Sequence, residues 1–231
     1  LNACRQIKSQ SISNLEKTNL FRQLFLYLIL GVFYMEQNLS GKRIAILVTD
    51  GFEQVELTGP QKALQQAGAT TVIVSSKAGQ VQGFHHDAKG DSFTVDATFD
   101  DAQPEEFDAV LLPGGVMNAD QIRMVPEAQA FVQAIDEQHK PLAVICHGAW
   151  LLISAGLVEG RTMTSWPSLE DDILNAGGTW VDQEAVVDQN WVSSRKPDDI
   201  AVFNTHLINL LGKSHQGNAI HRTKTGATTA A

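Results

Sequence analysis

The chain has 231 residues, 43% of them hydrophobic and 19% charged, which is enough apolar material for one sizeable domain. Its formal charge of −9 is uneven: Met35 to Leu211 holds 10 Lys+Arg against 25 Asp+Glu, or −15, while the segments on either side are each +3. A region of that sign repels polyanions, and no basic patch interleaved with aromatics offsets it, so nucleic acid is excluded as an expected partner.

The first 34 residues contain an apolar run, Leu24 to Tyr34, preceded by Arg5, Lys8, Lys17 and Arg22 in the order of a signal peptide. The run is shorter than the roughly 20 residues a membrane span requires, and MEQNLS after it offers no small-residue cleavage site. Met35, the first methionine, stands directly before the polar lead-in to the first strand. Met35 is therefore the expected start and residues 1–34 a non-native upstream translation or disordered extension outside the domain, which occupies 35–212; a signal or anchor sequence is the alternative, and no stable membrane association is expected.

Arg43 to Thr49 is a β-branched run without polar alternation, as in a parallel strand buried on both faces, and it ends in the turn Asp50-Gly51. Val55 to Ala67 carries apolar residues at helical spacing, with Gly59-Pro60 expected to bend it and Gly68 to close it. Thr71 to Ser75 reads as the second strand. Gly79 to Phe99 reads as a β-excursion at a sheet edge. Asp108 to Leu112 is another buried strand, followed by Pro113-Gly114-Gly115. Pro126 to Glu137 is helical with proline in its first turn, and Leu142 to Ile145 is the strand that ends at Cys146.

Beyond it, Arg161 to Thr164 reads as a strand, Ser168 to Ala176 as a helix, and Ala185 to Ser194 as a pair of strands. Asp198 to Leu211 reads as a last helix, capped by Asp198 and stopped by Gly212. Residues 213–231 carry few apolar side chains and are expected to be a disordered tail. Strands alternating with helices specify a doubly wound α/β domain with a mostly parallel central sheet, and such sheets bind ligands at the carboxyl ends of their strands. Glu53, Gly114-Gly115 and Cys146 each follow a strand at that edge, so three βα turns meet at one crevice.

Cys146 in AVICHG sits on a strand-to-helix turn, where the sulfur faces unpaired backbone N–H groups that favour a thiolate. It is the candidate nucleophile, although a cysteine there can equally be a small buried hydrophobe. The N–H groups of Gly115 and His147 outline an oxyanion hole. Glu53 in GFEQVEL can exchange a hydrogen bond with the thiol or with substrate, or simply answer the helix dipole. His147 is a candidate general acid or base. Cys4 and Cys146 suggest neither a disulfide nor a zinc site and fit a reducing cytoplasm. His85-His86 lacks a third ligand at metal spacing and reads as a polar loop; no metal and no cofactor are expected.

GFEQVEL, LLPGG, AVICHG followed by LLISAGLVEGR, then TSWPSLEDDILNAGGTWVD and NWVSSRKPDD, together resemble the PfpI-type intracellular protease-like family of the class I glutamine amidotransferase-like superfamily, over about Lys42 to Leu211. The resemblance implies a flavodoxin-like three-layer sandwich with a nucleophile elbow at Cys146 and Glu53 as its glutamate partner. It further implies that His147 is completed by an acid from a neighbouring subunit, best matched by Asp120, and that Trp166 forms a pocket wall. A homo-oligomer, dimer or hexamer, follows from that shared site.

The activity so implied is that of a stress-related cysteine hydrolase or glyoxalase acting on a small carbonyl or peptide substrate: peptidase, deglycase or glutathione-independent glyoxalase. A redox sensor or chaperone-like protein whose Cys146 is oxidised rather than turned over is the rival. A ligand-binding module on the same fold is a third reading.

Overall fold

A computed structural model describes residues 37–224, with side chains through Lys213. Residues 1–36, including the apolar run and Met35, and 225–231 lie outside the described residues.

The central sheet has seven strands in the order β11-β12-β8-β7-β1-β3-β6. These are β1 (Arg43–Leu47), β3 (Thr70–Ser75), β6 (Ala97–Thr98), β7 (Ala109–Leu112), β8 (Leu142–Ile145), β11 (Ala185–Asp188) and β12 (Trp191–Ser194). Every neighbouring pair is parallel except β11 with β12. The uninterrupted apolar runs follow from burial on both faces. Ala45, Leu47, Val110, Leu112, Leu142 and Val144 face a core shared with Ile122, Phe131, Val132, Ile135, Leu151 and Leu152. Ile44, Ile46, Ala109, Leu111, Ala143 and Ile145 face the opposite core, with Leu57, Leu64, Phe203 and Leu207.

The helices that supply those layers are α1 (Gln54–Gln66), α2 (Val116–Ile122), α3 (Pro126–Glu137), α4 (Ala149–Ser154), α5 (Glu170–Asn175) and α6 (Ile200–Lys224). The structure is thus a mostly parallel sheet between helical layers, as the sequence pattern predicts. Among the described residues no helix is long and apolar enough to cross a membrane.

Three local expectations are corrected. The Gly79–Phe99 excursion does not extend the main sheet as a unit: β4 (Gln80–His85) and β5 (Ala88–Thr94) form a hairpin that pairs with β2 (Phe52–Glu53) in a separate three-stranded sheet, and only β6 joins the main one. Gln82 accounts for much of the displacement, since its backbone N–H donates to Asp50 and its C=O accepts from Gly51, tying the hairpin to the turn after β1. Asp198 falls in a 3₁₀ turn (Pro197–Asp199) that precedes α6. Gly212 does not stop α6, which continues to Lys224; a helical glycine weakens a helix without blocking its hydrogen bonds. Here it admits the side chain of Gln37, which a Cβ would strike. The stretch 213–224 of the expected tail is thereby helical.

The two remaining short strands, β9 (Thr162–Met163) and β10 (Thr179–Trp180), pair with each other. They hold the segment around Trp166 beside the end of β8, where Trp166 N–H donates to the Cys146 carbonyl at 3.3 Å.

Candidate active site

β8 ends with Ile145 in extended backbone and Cys146 at φ 61°. A non-glycine residue held in the left-handed region costs of order 1 kcal/mol and marks a site where the surroundings dictate the conformation. The turn Cys146–Gly148 leads into α4, and its close seating needs Gly148, where a Cβ would lie 2.6 Å from the Leu112 carbonyl. This strained elbow reverses the usual divergence of adjacent side chains. The Cys146 sulfur and His147 Nδ1 stand 3.2 Å apart, and the backbone N–H groups of His147 and Gly115 point at the same sulfur.

The carboxyl at the thiol is that of Glu56, not Glu53. Glu56 has no solvent exposure, its Oε2 accepts the Gly114 N–H at 2.8 Å, and its carboxyl hydrogen-bonds with the Cys146 thiol. Glu53 sits on β2, one helical turn earlier, where its Oε2 accepts the His86 N–H at 3.0 Å and faces the pocket instead of the sulfur. The reason is helical phase. Glu56, Leu57, Pro60 and Leu64 form the buried face of α1, so the second glutamate of GFEQVEL turns inward. A carboxyl inside that apolar stripe was the signal in the sequence that singles out Glu56.

Burial governs the proton balance. Removal from water raises Glu56 to about 8, against the lowering effects of the Gly114 N–H and the Cys146 hydrogen bond. Burial, and after it the neighbouring Glu56, pushes the Cys146 thiol well up, while the N–H groups of His147 and Gly115 pull the other way. Burial lowers His147 to about 4. The resting trio is therefore neutral: a thiol, a neutral imidazole that can accept its proton, and a protonated carboxyl whose lack of charge does not oppose a developing thiolate.

Stability carries the signature of this balance. Between 4.5 and about 8 the folded chain holds a Glu56 proton that the unfolded chain has released, so stability falls as pH rises. His147 acts oppositely between about 4 and 6.5, which leaves the Glu56 loss uncompensated from 6.5 to 8. Glu56→Gln keeps an acceptor for Gly114 N–H and a donor for the sulfur but cannot ionise. Denaturant titrations across that window should show wild type losing on the order of 2 kcal/mol and the variant staying flat; parallel losses would contradict the burial of this carboxyl.

Around the trio opens a pocket of about 770 Å³ whose lining includes Glu53, Phe84, His86, Asp87, Asp120 and Trp166. Trp166 stacks on the His147 ring with centroids 5.7 Å apart and planes 25° apart. Trp150, which the sequence reading overlooked, meets the same imidazole edge-on at 5.3 Å, as three residues' helical spacing allows. Both indoles exclude water from His147. The His85-His86 segment is more than a polar loop: His86 lies in the pocket wall. Asp120 lies exposed on α2 and lines its own chain's pocket, and among the described residues it makes no hydrogen bond to His147. Gly114 fits where no side chain could, because a Cβ there would lie 2.7 Å from both the Cys146 Cβ and Glu56 Oε2.

The chain belongs to the DJ-1/PfpI family, whose model matches residues 42–210. A deglycase from Pyrococcus abyssi is 42% identical over 169 residues, covering 73% of this chain and 99% of the relative. The protein/nucleic acid deglycase 2 of Escherichia coli is 40% identical over 173 residues, covering 74% and 98%. A Bacillus subtilis relative, 40% identical over 171 residues and covering 74% and 98%, is provisionally named a cysteine protease. Among solved structures, a two-domain protein from Anabaena variabilis with DJ-1/ThiJ/PfpI-like and ferritin-like domains superposes with a TM-score of 0.70 at 37% identity. That match covers 74% of this chain, which spans about half of the two-domain protein (48%).

Proposed function

We propose that the protein is a cysteine-dependent enzyme of the glyoxalase or deglycase type, acting on 2-oxoaldehydes or their adducts through Cys146. The observation that carries this reading is the convergence on one sulfur of two backbone N–H groups, a neutral imidazole nitrogen at 3.2 Å and a buried carboxyl. The names of relatives at about 40% identity support it.

In the first step the sulfur bonds to the aldehyde carbon, the thiol proton passes to His147 Nδ1, and the carbonyl electron pair moves to oxygen. The N–H groups of Gly115 and His147, which face the sulfur, are the donors nearest to hand for that oxyanion. Return of the proton to oxygen gives a hemithioacetal. Moving the C1 proton to C2 through an enediol then oxidises C1 to a thioester and reduces C2 to an alcohol, so no outside oxidant is needed. Water cleaves the thioester, releasing a 2-hydroxy acid and restoring the thiol. Where the carbon arrives bonded to an amine, the C–N bond breaks as the C–S bond forms, and the amine leaves with the thiol proton. Glu56, sealed from solvent, serves the sulfur rather than the substrate.

The exposed apolar side chains Val116 and Met117 on α2 and Met124 just beyond it support a homo-oligomer in which Asp120 approaches a neighbouring copy's site. The test of the activity is lactate formation from methylglyoxal in amine-free buffer. Sustained lactate production above the protein-free rate is expected, and its absence would discard this substrate class and leave amides as the class to test.

A further inference from the structure

The turn that supplies the Gly115 N–H is mechanically weak by itself. Both of its glycines are forced, because a Cβ would lie 2.7 Å from the Cys146 Cβ at Gly114 and 2.5 Å from the Gly51 carbonyl oxygen at Gly115. A peptide flanked by two residues without a Cβ rotates freely about its neighbouring bonds. Half a turn would carry the Gly115 N–H away from the sulfur and bring the Gly114 carbonyl oxygen towards it, against any negative charge that develops there. Some other group must hold this plane.

A trans peptide points its C=O and its N–H in opposite directions, so holding one end aims the other. The side-chain amide of Asn118, in the first turn of α2, takes both carbonyls of the turn. Its Nδ2 donates to the Pro113 carbonyl at 3.1 Å and to the Gly114 carbonyl at 3.0 Å. The N–H ends of the same two peptides belong to Gly114, which donates to Glu56 Oε2 at 2.8 Å, and to Gly115, which faces the Cys146 sulfur. The Glu53 N–H also reaches the Gly114 carbonyl, but at 3.4 Å.

Asn118 is itself held fast. It has no solvent exposure, and its Oδ1 accepts the Thr49 N–H at 2.7 Å and the Thr49 hydroxyl at 3.2 Å. Its backbone N–H donates to the Gly51 carbonyl at 3.4 Å. Two carbonyls require N–H groups and a backbone N–H requires an oxygen, so the amide has one orientation, with all four of its hydrogen-bonding positions filled. An ionised aspartate would set oxygen against oxygen there.

We infer that Asn118 is a positioning residue for the chemistry at Cys146: by holding the carbonyl ends of two successive peptides, it aims one N–H at Glu56 and the next at the sulfur. Asn118 does not line the pocket and acts through the turn alone. The inference rests on the carbonyl reaction proposed for Cys146 and adds the device that keeps its oxyanion donor in place.

Asn118→Ala removes both donors. Thr49→Val removes the two bonds from the Thr49 hydroxyl to Asn118 but keeps the amide, both its donors and the Thr49 N–H, so it weakens the same junction without releasing the turn. Both variants should melt several degrees below wild type. Cys146 alkylation by iodoacetamide reports how well negative charge on the sulfur is stabilised and needs no turnover. Its rate near neutral pH should fall about tenfold in Asn118→Ala and stay within about twofold in Thr49→Val. In lactate formation from methylglyoxal, Asn118→Ala should lower kcat by about tenfold or more with KM within about twofold, as for an interaction made in the transition state.

Asn118→Ser, whose hydroxyl cannot reach both carbonyls, should match the alanine variant and serves in its place if that variant does not fold. Alkylation as fast as wild type in the Asn118 variants, an equal loss in Thr49→Val, or a raised KM at unchanged kcat would overturn the assignment. Wild type that forms no lactate would remove the carbonyl reading and leave the alkylation rates to decide the role of Asn118.

Discussion

Cys146→Ala should lose lactate formation by on the order of 10³-fold or more while remaining folded. Among the described residues that line the pocket, the sulfur is the group able to form the bond the reaction needs. Glu56 has no solvent exposure and holds its proton up to about pH 8. His147 has its Nδ1 turned to the sulfur at 3.2 Å and its ring held between two indoles. Neither can take over as nucleophile. Removing one buried sulfur from a site that keeps its backbone leaves a small cavity, so the melting temperature should move by only a few degrees. Retention of a tenth of the wild-type rate would place the chemistry elsewhere, and a collapsed fold would show that the sulfur serves packing.

Gly115→Ala should be the most destabilising single substitution near the site, by about 3 kcal/mol or more. Two independent causes add there. Gly115 has φ 85° and ψ 122°, a backbone region that residues with a Cβ scarcely enter. A Cβ would also lie 2.5 Å from the Gly51 carbonyl oxygen, 2.6 Å from Glu53 N and 2.8 Å from Phe52 Cα. All three obstacles are backbone atoms, so no side-chain rotation relieves them. Relief requires moving either the loop that carries the Gly115 N–H or the strand that carries Glu53. Since that N–H faces the Cys146 sulfur, turnover should fall together with stability, by at least about 10²-fold as for loss of one oxyanion donor. Urea titration and steady-state rates measure the two losses; a variant as stable and active as wild type would contradict the geometry of this turn.

The architecture was legible in the sequence because its signals are local and strong. Unbroken apolar runs at Arg43–Leu47, Ala109–Leu112 and Leu142–Ile145 became central parallel strands, and Pro126–Glu137 became a helix with the boundaries its pattern predicts. Cys146 was legible because an apolar strand stops abruptly at it. Which glutamate meets the thiol was not legible from motif position alone: Glu53 and Glu56 lie three residues apart, and only the phase of α1 decides which one turns inward. The pocket wall at His86 depends on a hairpin that pairs with two residues of β2 rather than with the main sheet, a long-range choice that alternation within the hairpin does not encode. Helix α2 escaped notice because Val116–Ile122 is short and follows a glycine pair.

Trapping the covalent intermediate tests the central claim most directly. Protein turning over methylglyoxal is quenched in acid and its mass measured intact, followed by peptide mapping. Carbonyl chemistry at Cys146 predicts a fraction of the chain carrying one lactoyl group on that sulfur, absent from Cys146→Ala. Lactate formation with unmodified Cys146 throughout, or with the label on another side chain, would contradict it.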